Sequence, residues 1–120
     1  MKRVLLADDS SGVRKALRRI FEQAGWSVCA EASNGQEAIS NARKMRPDII
    51  VLDLSMPTMN GLDAGRILKA IFPRIPLILF TSFGGIVNAD DLHHAGFSAL
   101  IDKMDAGKLV PTAETLLEAA

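Results

Sequence analysis

Short runs of apolar residues alternate along the chain with longer stretches in which apolar positions recur every three or four residues. The runs RVLLA (3–7), WSVCAEA (26–32), Ile49–Leu52 within DIIVLDL, LILFT (77–81) and ALIDK (99–103) have the length of strands. The near-continuous Val, Ile and Leu of the first, third and fourth predicts strands buried on both faces, whereas WSVCAEA alternates. Between them the period changes. Ser10 or Ser11 offers a cap for a helix with Val13, Leu17, Ile20 and Phe21 inward, ended by Gly25. Residues 34–45 form a second helix with Ala38, Ile39 and Ala42 facing in and Pro47 just beyond; residues 61–72 form a third, followed by Pro73 and Pro76. In the segment 82–96, Gly84 and Gly85 delay any helix to about Asn88 or Ala89 and Gly96 ends it, so this helix is expected to be short and labile. A closing amphipathic helix is expected from about Ala106 to Glu118, with Leu109, Val110, Ala113, Leu116 and Leu117 on one side. Strands alternating with helices imply right-handed crossovers, a parallel sheet and helices on both faces: a doubly wound α/β fold with five strands. No repeat, low-complexity tract or linker interrupts the pattern, and residues 1–120 read as one domain.

Composition narrows the function classes. A chain of 120 residues, 48% hydrophobic, is long enough for one core and too short for two ordinary domains. Fourteen basic residues balance fourteen acidic ones, which removes the broad positive footprint of a nucleic-acid binder or a polybasic membrane anchor. The single cysteine, Cys29, cannot form an internal disulfide and is expected to be inert core; the absence of a Cys/His cluster argues against a structural zinc site, and a reducing compartment is expected. MKRVLLADD reaches charge too soon for a signal peptide, and no run approaches the roughly 20 apolar residues that span a bilayer. A soluble, cytoplasmic protein is the expectation. His93 and His94 are neighbours on one helix, point about 100° apart, and read as surface residues rather than metal ligands.

The chemistry gathers at strand ends. In an open parallel sheet, ligands bind beyond the carboxyl ends of the strands. Asp8 and Asp9 follow the first strand, Asp53 the third, Thr81 the fourth and Lys103 the fifth, so distant positions converge on one rim. Each has an ordinary explanation alone: a turn, a helix start, a strand end, a surface charge. Together, three carboxylates at one rim repel one another unless a cation neutralises them. Hard oxygen donors of this kind suit Mg²⁺, usually alongside a phosphoryl group. A carboxylate there can act as nucleophile if the phosphoryl oxygens are balanced, and Lys103 and Thr81 supply a mobile charge and a hydroxyl donor. Asp53 then reads as the group to be phosphorylated.

VLLADDS, DIIVLDLSMPTMNGLD, LILFTS and ALIDK, in this order and spacing, resemble the receiver domain of two-component response regulators across the whole chain. The resemblance implies a flavodoxin-like sheet in the order 2-1-3-4-5, the order of the chemotaxis receiver that serves as a standard example of this topology. It also implies Mg²⁺ held by Asp9, Asp53 and the backbone carbonyl of Ser55, with Asp8 contributing directly or through water. Asp53 is the implied phosphoacceptor, Thr81 moves toward the phosphoryl group and Lys103 pairs with it. The activity implied is that of a phosphoacceptor that catalyses its own phosphorylation and dephosphorylation, not that of an enzyme with a separate substrate. The phosphoryl donor is a histidine kinase or a histidine phosphotransfer protein, and the phosphorylated state controls a downstream partner or output domain. The context is either a free-standing module or the receiver half of a DNA-binding transcription factor; this domain itself binds neither nucleic acid nor membrane. A phosphatase with an Asp53 nucleophile would need a second acid/base carboxylate close after it, and DLSMP has none before Asp63. A flavin or nucleotide site after the first strand would set two carboxylates against a phosphate.

One departure matters. Receivers usually carry Tyr or Phe three residues before the fifth-strand lysine, and here that residue is Leu100. Ser55 and Phe83, each two residues after a site residue, flank the path of an attacking water, and a bulky Phe83 is expected to slow hydrolysis. Arg14 with Arg18, and Lys15 with Arg19, form i,i+4 pairs read either as a solvated helix face or, by analogy with the family, as a surface for the phosphoryl donor. Trp26 reads as packing.

Overall fold

The computed structural model describes every residue of the chain except Phe83 and Ala120. The elements run β1 (Arg3–Ala7), α1 (Ser11–Gln23), β2 (Ser27–Ala32), α2 (Gly35–Met45), β3 (Ile49–Leu52), α3 (Gly61–Ile71), β4 (Leu77–Thr81), α4 (Ala89–His94), β5 (Ala99–Asp102) and α5 (Leu109–Glu118), with 3-10 turns at Gly84–Ile86 and Lys103–Lys108. All five strands pair in parallel in the order β2-β1-β3-β4-β5, as expected.

Alternation along the central strands divides the core in two. Val4, Leu6, Ile49, Val51, Ile78 and Phe80 meet Leu17 and Phe21 of α1 and Leu109 and Ala113 of α5 on one face. Leu5, Ala7, Ile50, Leu52, Leu77 and Leu79 meet the small residues Ala38, Ala42 and Ala64, with Leu68, on α2 and α3. β1, β3 and β4 therefore carry apolar side chains on both faces, interrupted only by Arg3 at the start of β1 and Thr81 at the end of β4, which is why they read as near-continuous runs.

The helix starts follow the sequence chemistry. Ser10, Asn34, Asn60 and Asn88 each cap a helix by accepting a backbone N–H from two or three residues on. Gly25, after α1, and Gly96, after α4, have φ of +88° and +85°, the left-handed region that ends helices at little cost for glycine.

Several boundaries differ from expectation by one residue, and that of the last helix by more. The last helix begins at Leu109 rather than near Ala106, because Lys103–Lys108 form a 3-10 turn with Asp105 out of helical geometry. Pro111 explains the shift: it has no N–H to give a preceding turn, and starting at Leu109 places it in the first turn, where none is needed. Trp26 lies just before β2 rather than in it, buried edge-to-face against Phe21 with ring centres 5.3 Å apart. Cys29 is only partly buried, on the edge strand, not in the core; burial still pushes its thiol pKa up. Among the described residues no helix is long and apolar enough to cross a membrane.

Candidate functional site

Strand register assembles the site. Ala7 pairs with Leu52 on the last rung between β1 and β3, and the next residues leave the sheet together. The Asp8 N–H donates to the Ala32 carbonyl at 3.0 Å and the Asp53 N–H to the Ala7 carbonyl at 2.9 Å. Asp8 and Asp53 thus emerge side by side over the rim. Carboxylate oxygens of Asp8, Asp9 and Asp53 lie within 4.8 Å of one another. Asp8 and Asp53 are almost wholly buried, 1% and 4% exposed, whereas Asp9 is exposed. Thr81 is fully buried at the end of β4, paired with Asp102, so Lys103 leaves the sheet just beyond that rung.

Lys103 reaches back over the carboxylates. Its Nζ stands 2.8 Å from Asp8 Oδ2 and 3.3 Å from Asp53 Oδ2. The approach to Asp8 is an ion pair without hydrogen-bond alignment, which leaves buried Oδ2 without a hydrogen-bond donor. Asp8 Oδ1 accepts from the Ser10 N–H at 2.9 Å, which ties the carboxylate to the start of α1. Burial raises the pKa of Asp53 and the charge of Asp8 raises it further, both opposed by Lys103. Burial pulls the Lys103 pKa down, but its close approach to the Asp8 and Asp53 carboxylates outweighs that, so it is held above its usual value. Lys103 lies against two of the three clustered carboxylates, with one buried oxygen still lacking a hydrogen-bond donor. This all-oxygen donor set fits a hard divalent cation.

The loop after Asp53 is fixed through its backbone. The Gly61 N–H donates to the Leu54 carbonyl at 2.9 Å, and a β-carbon on Gly61 would collide with the carbonyl of Asp53 itself. The Gly35 N–H bonds the Met59 carbonyl at 3.0 Å, pinning the loop to the start of α2. Glycine at position 61 is therefore needed for close approach, not for a turn. Ser55 sits exposed on this loop.

The rim thus brings together Asp8, Asp9, Asp53 and Lys103, with Thr81 on the adjoining strand end. The expectation for Phe83 lies outside the described residues. His93 and His94 are exposed with ring centres 6.0 Å apart, as surface residues should be. Asp63, the nearest following carboxylate, sits in the first turn of α3 and pairs with Arg66 at 2.9 Å.

The sequence reading missed one part. Arg14 and Arg18 are not both free on a solvated face: Arg14 Nε and Arg18 Nη2 bond the two oxygens of Glu31 on β2, at 2.9 and 2.8 Å. Only Lys15 and Arg19 remain exposed there. Arg14 Nη1 also donates to the Asp8 carbonyl at 2.6 Å. A glutamate one residue from the rim end of the alternating strand SVCAEA was the available signal, since a charge there asks for a partner on the nearest helix.

Residues 4–114 match the family model of the response regulator receiver domain. The chain is 40% identical over 83 residues to the chemotaxis protein CheY of Thermotoga maritima, covering 69% of each chain. It is 42% identical over 96 residues, or 78% of its length, to protein-glutamate methylesterase/protein-glutamine glutaminase 3 of Hahella chejuensis, of which it spans only 27%. The crystal structure of a LuxR-family two-component response regulator from Aurantimonas sp. SI85-9A1 superposes with a TM-score of 0.90 at 34% identity, over 98% of this chain and 85% of that one. With its sheet order, its acidic rim and a family match over nearly its full length, the chain belongs to the receiver domains of two-component response regulators.

Proposed function

We propose that this receiver, residues 1–120 acting as one unit, takes a phosphoryl group on Asp53 from a histidine kinase or histidine phosphotransfer protein in the cytoplasm. The observation that carries the reading is the cluster itself: Asp8, Asp9 and Asp53 within 4.8 Å, with Lys103 against two of them. An Asp53 oxygen forms the new bond to phosphorus as the donor's nitrogen–phosphorus bond breaks, and the departing imidazole keeps the electron pair and takes a proton. Lys103 holds its charge beside the oxygens that become more negative, and the Thr81 hydroxyl donates from the next strand end. Asp9, Asp53 and the Ser55 backbone carbonyl, with Asp8 directly or through water, would hold Mg²⁺, which would supply neutralising charge for the phosphoryl group.

Receivers are phosphoacceptors rather than conventional enzymes, and the proposed dephosphorylation is the module's own hydrolysis of the Asp53 phosphate. The output is a downstream partner or attached domain. The LuxR-family neighbour favours a transcription-factor context, while the methylesterase relatives, of which the chain spans about a quarter, favour attachment to a different output. Incubation with acetyl phosphate tests the chemistry. One phosphoryl group per chain is expected with Mg²⁺, almost none after chelation and none in Asp53→Asn. Full labelling of that variant would overturn the assignment.

A further inference from the structure

We propose that Arg14 is a positioning residue for the acidic site: through its backbone bond to Asp8 it sets the orientation of the peptide that carries Asp9. The inference rests on the site reading above and adds a residue to it. The Asp8 carbonyl belongs to the peptide whose nitrogen is that of Asp9, so a donor fixed on this oxygen fixes the plane from which Asp9 projects. Arg14 Nη1 provides that donor at 2.6 Å. The guanidinium is held in turn: Nε donates to Glu31 Oε1 at 2.9 Å, while Arg18 Nε and Nη2 hold Glu31 Oε2 at 3.0 and 2.8 Å. Asn41 Nδ2 fixes the strand at that point by donating to the Glu31 carbonyl at 2.9 Å.

Asp9 needs this support more than its neighbours do. Asp8 and Asp53 are buried and packed, whereas Asp9 is exposed, so its carboxylate is placed by the backbone that carries it. The planar fork of arginine can serve a carboxylate and a carbonyl at once, and a lysine ammonium in its place cannot hold both in that geometry. The chain α1–Arg14–Glu31–β2 is thereby a brace across the rim, with the metal-facing peptide at its end.

A bare staple between α1 and β2 predicts something different. Removing a positive charge near three carboxylates should tighten cation binding if charge alone matters. Lost positioning should weaken it, so the two accounts differ in sign. The experiment titrates Mg²⁺ by calorimetry and measures the backbone amide order parameter of Asp9 by NMR in wild type, Arg14→Met, Arg14→Lys and Arg18→Met. For Arg14→Met the expected result is about tenfold weaker Mg²⁺ binding, at the low end of what outer partners of metal ligands usually contribute, with a more mobile Asp9 amide. Arg14→Lys, which keeps the charge and guards against an unfolded methionine variant, should shift in the same direction. Arg18→Met removes the other cation on Glu31 without touching Asp8, and should stay within about twofold of wild type. Equal or tighter binding in both Arg14 variants with an unchanged Asp9 amide overturns the proposal, as does an Arg18→Met that matches Arg14→Met. If wild type takes up no Mg²⁺ at all, the metal reading falls, and the Asp9 amide alone then decides whether Arg14 positions the peptide.

Discussion

Burying Asp53 beside Asp8 makes its ionised form harder to hold in the folded chain than in the unfolded one, and Lys103 offsets only part of that. The direction of the pKa shift fixes its effect on stability. Below the unfolded value, about 4, the carboxyl is protonated in both states and imposes no penalty; as pH rises through the raised folded value, the charge must be carried against burial and stability falls. Asp53→Asn removes that charge and leaves Lys103 on Asp8. In metal-free buffer at pH 7 the variant should melt a few degrees higher than wild type, where roughly 4 °C corresponds to about 1 kcal/mol for a domain of this size. The gain should shrink toward zero near pH 4. Thermal melts between these pH values decide it: a gain independent of pH would mean that packing, not charge, separates the two side chains. The convergence of the five site positions on one rim was legible because a parallel sheet sends every strand end to the same side, so they could be placed from run lengths. Arg14 and Glu31 were not, because their contact joins a helix to an edge strand 17 residues away, and the i,i+4 spacing of Arg14 and Arg18 looked the same as that of a solvated pair.

Among the α-helices α4 is the shortest, and the sequence shows why. It has six residues, capped by Asn88 and stopped at Gly96, with acids in its first turn and histidines in its last, an arrangement that suits the helix dipole. Too short to be stable alone, it is held by Ala95 and Phe97, whose ring lies against Gly65 of α3. Ahead of it, Ile86 is 79% exposed in the Gly84–Ile86 turn that follows Thr81. The start of α5 was misread for the converse reason. Apolar spacing continued through Ala106, and the constraint that overrode it was the missing donor of one proline. Leu100 is half-exposed on β5, on the sheet face opposite Ile101, and carries no hydroxyl to exchange between solvent and backbone. The element expected to respond when Thr81 is drawn toward a phosphoryl group is therefore the segment 82–96. Hydrogen exchange with and without a stable phosphoryl mimic should show protection rising mainly there, several-fold at the α4 amides, with Leu100→Tyr changing the size of the effect. Protection that changes only along α1 would place the switch elsewhere.

At the scale of the whole molecule, the acidic rim and the single tryptophan lie at opposite ends of the sheet. Trp26 precedes β2 and Asp8 follows β1, and because these strands are parallel, the length of β2 separates them, six residues at about 3.3 Å each. Lys2 Nζ stands 5.7 Å from the Trp26 ring centre, and Phe21 packs edge-on against it. Indole emission should thus report unfolding of the core and be blind to occupancy of the rim. If Mg²⁺ occupies the folded cluster as proposed, the unfolded chain offers no equivalent cluster, so occupancy must raise global stability. At ten times its dissociation constant the gain is about 1.4 kcal/mol. Denaturation followed by Trp26 emission should then show a midpoint that climbs with Mg²⁺ while the native baseline stays flat. Asp9→Ala should abolish most of the climb and Asp8→Ala less of it, because Asp9 is taken as the direct ligand and Asp8 already has Lys103 as a counterion. Chelation should return wild type to the metal-free midpoint. A midpoint unmoved by Mg²⁺ would remove the metal from the site, and a native baseline that moves with Mg²⁺ would mean that rim and far edge are coupled within the folded state.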